Sequence, residues 1–446
     1  MNKLVVRLPL LLLLGLATAL SCLAQSGDDQ VPADYLLNAR HSGGAVPPRG
    51  HGNGVKLAGN QNGVSSEALG IPNIDSLINF SGHFSAAGVD QNGNPRSIWF
   101  YNMVGRSPAE ESGQQQGDRT TTIKAPIIPV SLVLRKANGS PRFVYDVTPF
   151  IEPTLNSPVF QKFPYTSSKA PTQISDAIQR AEFFEEADPG WHTVLSPNVK
   201  TARVMTIDQD PTCGQAKGHC NYLISLHADG TCCRFVLVDD QVFGNALFPA
   251  NFPFSESDLQ TPVGAAENDG DITTKDISTF LFPNTYLFLN GNPNVCCVLG
   301  YHTYDFEPGI PSNGNLERRY VLNYSSWISP GLFRGGFEDV TALSHEMAEI
   351  YNDPFVASDG IHNITPWWLS PNGNCQDDLE VGDVIEGLPR GVFPITMNGM
   401  TYHPQNEALL PWFEFQSPSS AISGAYSYPD ISTLTALSAP QNKACK

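Results

Sequence analysis

The stretch TALSHEMAEIYNDP, Thr341 to Pro354, follows a long series of strand-like segments and changes the period of the chain from two to 3.6. Val340, Leu343, Met347 and Ile350 recur at helical spacing and form a core-facing stripe, while His345 and Glu349 stand one turn apart on another face with Thr341 and Asn352. Asp339 or Thr341 is placed to cap this helix, and Pro354 ends it, because the residue before a proline is pushed out of the helical region.

Upstream of the helix, ARVMTI, YLISL, RFVLVDD, TYLFLN, VCCVLGYH and RYVLNYSSW read as strands, and DITTKDISTFLF reads as a helix among them. PTQISDAIQRAEFFEEADPG is helical, with Ile174, Ala177, Ile178, Ala181 and Phe184 on one face and Asp188-Pro189-Gly190 as its stop. Residues 75–168 are strand-rich: IWFYNMVG, APIIPVSLVLR, then the turn Ala137-Asn138-Gly139-Ser140 before FVYDV. Pro126 and Pro129 point to edge strands or strand starts there. The expected fold class is α+β: a β-rich module over 75–168, then a mixed sheet carrying the metal-site helix in a domain over 169–446 with a C-terminal extension.

Before these lie two segments without globular character. Residues 1–24 carry Lys3 and Arg7, the apolar run LPLLLLLGLATAL and a small-residue end, the layout of a secretory signal peptide cleaved after Ala24. Lipid attachment at Cys22 is the alternative. Residues 25–74, rich in Gly, Asn, Ser and Pro, read as a disordered leader. Removing the signal leaves Cys213, Cys220, Cys232, Cys233, Cys296, Cys297, Cys375 and Cys445, an even number that in an exported chain implies disulfides. The adjacent pairs lack the spacing of a structural zinc site. The formal charge is -18, and loss of Lys3 and Arg7 makes it -20; such a chain repels phosphate backbones, so no nucleic-acid partner is expected. Nor is any other segment apolar enough for a membrane span, and the expected location is secreted or periplasmic.

The chemistry concentrates on the opening helix. An i,i+4 pair of His345 and Glu349 lets two side chains meet one divalent cation, and Glu346, about 100° further round, stands where a metallopeptidase keeps the general base for its attacking water. A third protein ligand is then required. NCQDDLEVGDVIEG offers Asp377, Asp378, Glu380, Asp383 and Glu386, with Glu380 or Asp383 the natural candidates, and GYHTYD offers His302 and Asp305. A shell of one histidine and two carboxylates carries two negative charges, which weakens the preference for zinc over manganese or calcium. The plain alternative is an i,i+4 surface pair worth a few tenths of a kcal/mol. His192 and His403, each beside an aromatic residue, read first as hydrogen-bonded structural groups, as do the aromatics of PWWL and LPWFEF as core. No serine-hydrolase elbow, phosphate loop or dinucleotide fingerprint is present.

SHEMAEIYNDP together with LEVGD resembles an exported, largely uncharacterised bacterial family with the signature S-H-E-[LM]-x-E-x-x-x-D-P followed by G-E-I-G-D, and GYH, PTQISDAIQRAEFF and WHTVL resemble it too. That family is taken to be zincin-like, with a distant similarity to the plant phosphate-induced, Exordium-like secreted proteins, which lack the His-Glu pair. Here Leu379 stands where the pattern has glycine. The resemblance implies a secreted metallopeptidase acting on a peptide or protein, with one zinc ion as cofactor and manganese or calcium as alternatives. A binding or signalling protein of the same fold, with a structural ion or none, is the rival expectation.

Overall fold

The structure is a computed structural model that describes residues 74–89, 95–108, 119–225, 233–311, 314–333, 335–356, 368–373, 375–376 and 379–437. The expected signal peptide, nearly all of the expected leader, Asp377 and Asp378 lie outside these residues.

The chain begins with β1 (Ile74–Asp75), a hairpin of β2 (Asn79–Val89) and β3 (Pro95–Val104), and a second hairpin of β4 (Arg119–Arg135) and β5 (Pro141–Tyr145). The helices α1 (Thr148–Leu155) and α2 (Ile174–Glu182) follow, then β6 (Trp191–Val199), β7 (Arg203–Asp208), β8 (Tyr222–Ser225) and β9 (Phe235–Asp239). Next come α3 (Asp240–Leu247), α4 (Pro262–Asn268), β10 (Ser278–Pro283), β11 (Thr285–Phe288), β12 (Cys296–Val298), β13 (Gly300–Glu307), β14 (Glu317–Trp327) and α5 (Thr341–Asn352). The result is mixed α/β, with a large, mainly parallel sheet at its centre.

That sheet has eight strands: β1, β14, β10, β4 and β5 in order, with β13 on β14, and β6 and β7 both on β4. Only β13–β14 and β4–β5 are antiparallel. Buried parallel strands must feed apolar groups to both faces, and β10 does so: Leu281 enters one core, Phe280 and Phe282 the other. This corrects the helix expected over DITTKDISTFLF. Its apolar residues follow period two across a sheet covered on both sides, a pattern easily taken for a buried helix when the run is short. One face of the sheet packs α2 and α5 through Ile178, Leu343 and Met347; the other packs α3 and α4 through Phe243 and Val263.

Pro126 and Pro129 do not sit at an edge. β4 is central, and the prolines flank the point where its partner changes, β6 ending opposite Ile127 and β7 starting opposite Val130. A missing N–H is harmless at such a switch. Because β4 pairs with β6, β7 and β10, the boundary expected at 168/169 runs through the sheet rather than between two sheets. The turn at Asn138 and Gly139 joins β4 to β5, with Gly139 at φ +79 and the Asn138 side chain accepting from the Ser140 N–H.

Cys213 is bonded to Cys220, and Cys296 to its neighbour Cys297. Among the described residues no helix is long and apolar enough to cross a membrane.

Candidate metal centre

Helix α5 lies against β13, β14, β3 and α2, and every one of its twelve residues is buried. Its polar face therefore looks inward, and the surface-pair reading fails on that ground. Neither expected residue caps it in the usual way: Val340 holds the cap position. Asp339, in the left-handed region at φ +44, accepts from the Val340 and His403 N–H groups, and Thr341 Oγ1 reaches the carbonyls of Glu338 and His403. These bonds tie the start of the helix to the 400s segment.

Three other pieces of chain bring side chains to the inward face. Strand alternation along β13 sends Tyr301 to the α3 side and His302 to the α5 side, opposite Asn323 of β14. Gly300, two residues earlier, must be small: a Cβ there would lie 2.9 Å from Glu346 Cγ. The loop after Leu379 carries Glu380 and Asp383, with Gly382 between them. Its N–H and that of Asp383 donate to Glu349 Oε1 at 3.2 and 3.3 Å, and a Cβ on Gly382 would come within 2.5 Å of His345 Nδ1. The glycine thus lets this loop lie flat against the imidazole. Leu379, where the resembled family has glycine, is wholly buried in the main core. Finally, Gln405 and Glu407 come from the segment whose Ala408 N–H bonds the Val381 carbonyl.

The candidates converge. His345 Nε2 is 3.0 Å from Glu349 Oε1 and 3.5 Å from Asp383 Oδ1. His302 Nδ1 is 3.3 Å from Glu349 Oε2, 3.6 Å from Glu346 Oε2 and 3.8 Å from Glu380 Oε2. Ligands about 2.0–2.2 Å from a tetrahedral ion stand roughly 3.2–3.6 Å apart, so these spacings have the scale of a coordination shell. None of these six residues is more than 7% exposed.

Both imidazoles are oriented from behind. His302 Nε2 lies 3.1 Å from the Asp353 carbonyl, which only accepts, so Nε2 carries the proton. Gln405 donates its Nε2 to the Gly382 carbonyl at 2.6 Å, which turns its Oε1 toward His345 Nδ1 at 3.2 Å, so there Nδ1 carries the proton. In the neutral tautomers, His302 Nδ1 and His345 Nε2 then aim bare lone pairs at carboxylate oxygens. Such a contact is repulsive unless a cation or a proton lies between the two atoms, and a metal-bound histidine is held from behind in the same way.

The electrostatics of the cluster point the same way. Burial alone would lower both histidines, but the glutamates override it: Glu346 and Glu349 carry His302 up to about 10, and His345 is likewise raised. Glu349 is held well below the usual carboxylate range, its burial outweighed by His345 and His302. Glu346 is raised by burial and by Glu349. Glu407, unremarked in the sequence, is wholly buried, with neither carboxylate oxygen hydrogen-bonded among the described residues, and is pushed far up by burial while facing His345, Glu349, Glu346 and Asp383. The donor set, two histidines and several carboxylates, could hold a divalent cation of the zinc or manganese type.

Other expected candidates fall elsewhere. Asp305 is on the opposite face of β13, paired with Glu267. Glu386 is buried, with its backbone carbonyl bonded by Asn372. His192 is bound to Asp176 at 2.7 Å, and Asp176 also accepts from Thr172 and the Thr193 N–H, a structural clamp. His403 pairs with Asp339 at 2.7 Å, beside Glu338, at the start of α5. Trp412 and Phe413 are core. His227 and His362 lie outside the described residues.

No protein-family profile matches the chain, and neither a curated protein nor a solved structure matches it at a significant level. The functional reading rests on the chemistry of these side chains.

Proposed function

We propose that the protein is a secreted, zincin-like metal-dependent hydrolase that cleaves peptide bonds. The observation that supports this most strongly is the buried cluster in which His345 Nε2 faces both Glu349 Oε1 and Asp383 Oδ1, with Glu346 grouped beside His345 and Glu349. His345, Glu349 and Asp383 would hold the ion, zinc first and manganese or calcium next. When bound, such an ion supplies Lewis acidity toward a carbonyl oxygen and makes water a better nucleophile at neutral pH. Glu346 is the general base: it takes the proton of the attacking water and returns it to the departing amine. A peptide would pair along β13, which among the described residues pairs only with β14 and carries His302 beside the cluster.

One observation favours a second reading. Glu346 is only 2% exposed, and burial this deep also suits a structural ion in a secreted binding protein. Replacing Glu346 by Gln separates the two. Hydrolysis of a casein or peptide-library substrate should fall by about 10²–10⁴-fold with metal content unchanged; wild-type protein that carries the ion but cleaves nothing would favour the structural reading.

A further inference from the structure

The two oxygens of Glu349 face two different histidines. Oε1 is 3.0 Å from His345 Nε2, and Oε2 is 3.3 Å from His302 Nδ1. Each histidine has a second carboxylate of its own: Asp383 Oδ1 at 3.5 Å from His345 Nε2, and Glu380 Oε2 at 3.8 Å from His302 Nδ1. Each is also fixed by its own rear acceptor, Gln405 for His345 and Asp353 for His302, so that its remaining nitrogen faces the carboxylates from its own side. The arrangement is two half-shells that share one carboxylate.

Charge makes the same point. Glu346, Glu349, Glu380, Asp383 and Glu407 are all at most 4% exposed, and among the described residues the Glu407 oxygens have no hydrogen-bond partner. Buried carboxylates need compensation by cations or protons.

We propose that this is a dinuclear metal centre, with one ion held by His345 and Glu349 on the side of Asp383, a second between His302, Glu349 Oε2 and Glu380, and Glu349 as the bridge. The second ion rests on the metal-hydrolase reading above but adds a site that reading does not need. A carboxylate bridge spans two ions about 3.5–4 Å apart, the separation at which paired ions clamp both the attacking and the leaving oxygen of a substrate. Glu346, 3.6 Å from His302 Nδ1 and grouped with His345 and Glu349, borders both half-shells and so can serve water held between them. The Gly382 and Asp383 N–H groups both bond Glu349 Oε1, and neither is drawn to Oε2, the oxygen that faces His302.

The test uses full-length protein stripped of metal, reloaded with Mn(II) or Zn(II) and dialysed. Elemental analysis should find about two ions per chain, and the Mn(II) form should give the exchange-coupled paramagnetic resonance signal of two neighbouring ions. Glu380→Gln, close to isosteric, should halve the stoichiometry and leave an isolated-ion signal. One ion per chain with an uncoupled signal in the wild type overturns the second site and leaves the hydrolase reading standing; no retained ion overturns both. The wild-type measurements decide the question even if the variant fails to fold.

Discussion

His345 and Glu349, one turn apart on α5, meet Nε2 to Oε1 at 3.0 Å with neither side chain more than 2% exposed. On a helix surface this spacing would stabilise by only about 0.2–0.5 kcal/mol. Inside the protein it places a histidine lone pair and a carboxylate on one buried point. Glu349→Gln keeps the shape but removes the charge there, and metal affinity should fall by more than the roughly 10–100-fold that changes behind a ligand cost. Competition with a chelator of known affinity measures it; unaltered affinity would remove Glu349 from the shell.

The Gln405 side chain reaches the cluster through His345 and the Gly382 carbonyl. Gln405→Leu frees the imidazole to rotate or change tautomer, and metal affinity should drop about 10–100-fold while the fold, followed by circular dichroism, persists. Gln405→Glu, which keeps the acceptor facing Nδ1, should recover part of the loss.

Gly382 leaves no room for a side chain, since a Cβ would press on the His345 ring at 2.5 Å. Gly382→Ala must displace either the loop bearing Glu380 and Asp383 or the imidazole. A loss of about 1–3 kcal/mol in denaturant unfolding is expected, together with loss of retained metal.

Away from the centre, Glu182 of α2 is buried, accepts from the Leu410 N–H, and has its pKa raised to about 8, chiefly by burial. Its folded value lies above its unfolded one, so the folded state holds a proton that the unfolded chain has released. The associated stability is complete below about pH 4.3 and is lost as pH rises through 8. Glu182→Gln has no such proton to lose. It should unfold like the wild type near pH 4 and be the more stable protein at pH 9, the two drawing apart by about 1.4 kcal/mol for every tenfold fall in proton concentration across that window. Parallel pH profiles for the two proteins would contradict this.

What the sequence made legible follows from spacing. The i,i+4 relation of His345 and Glu349, the stop at Pro354 and the carboxylates of LEVGD are local patterns, and α5 with its neighbouring loop carries them. His302 was accessible because it closes the short run GYH, yet Asp305 in the same run lies on the other face: a strand alternates, and nothing local says which side is the site. Glu407 and Gln405 left no signal, because they reach the cluster through a two-residue strand, Glu407–Ala408, whose placement depends on tertiary pairing with Ser427–Tyr428. The strand at Ser278–Pro283 was missed because its two faces are both core, which removes the polar alternation that marks a strand. That α5 is buried all round is likewise invisible in a stretch with so many polar groups.

The most direct test of the metal centre is anomalous diffraction from crystals of the metal-loaded protein, recorded on both sides of the absorption edge of the bound element. Anomalous density is predicted among the side chains of His345, Glu349, Asp383, His302 and Glu380, as two peaks about 3.5–4 Å apart if Glu349 bridges. Loaded crystals with no anomalous peak among those side chains, or with their only peak at Glu338, Asp339 and His403, would contradict it.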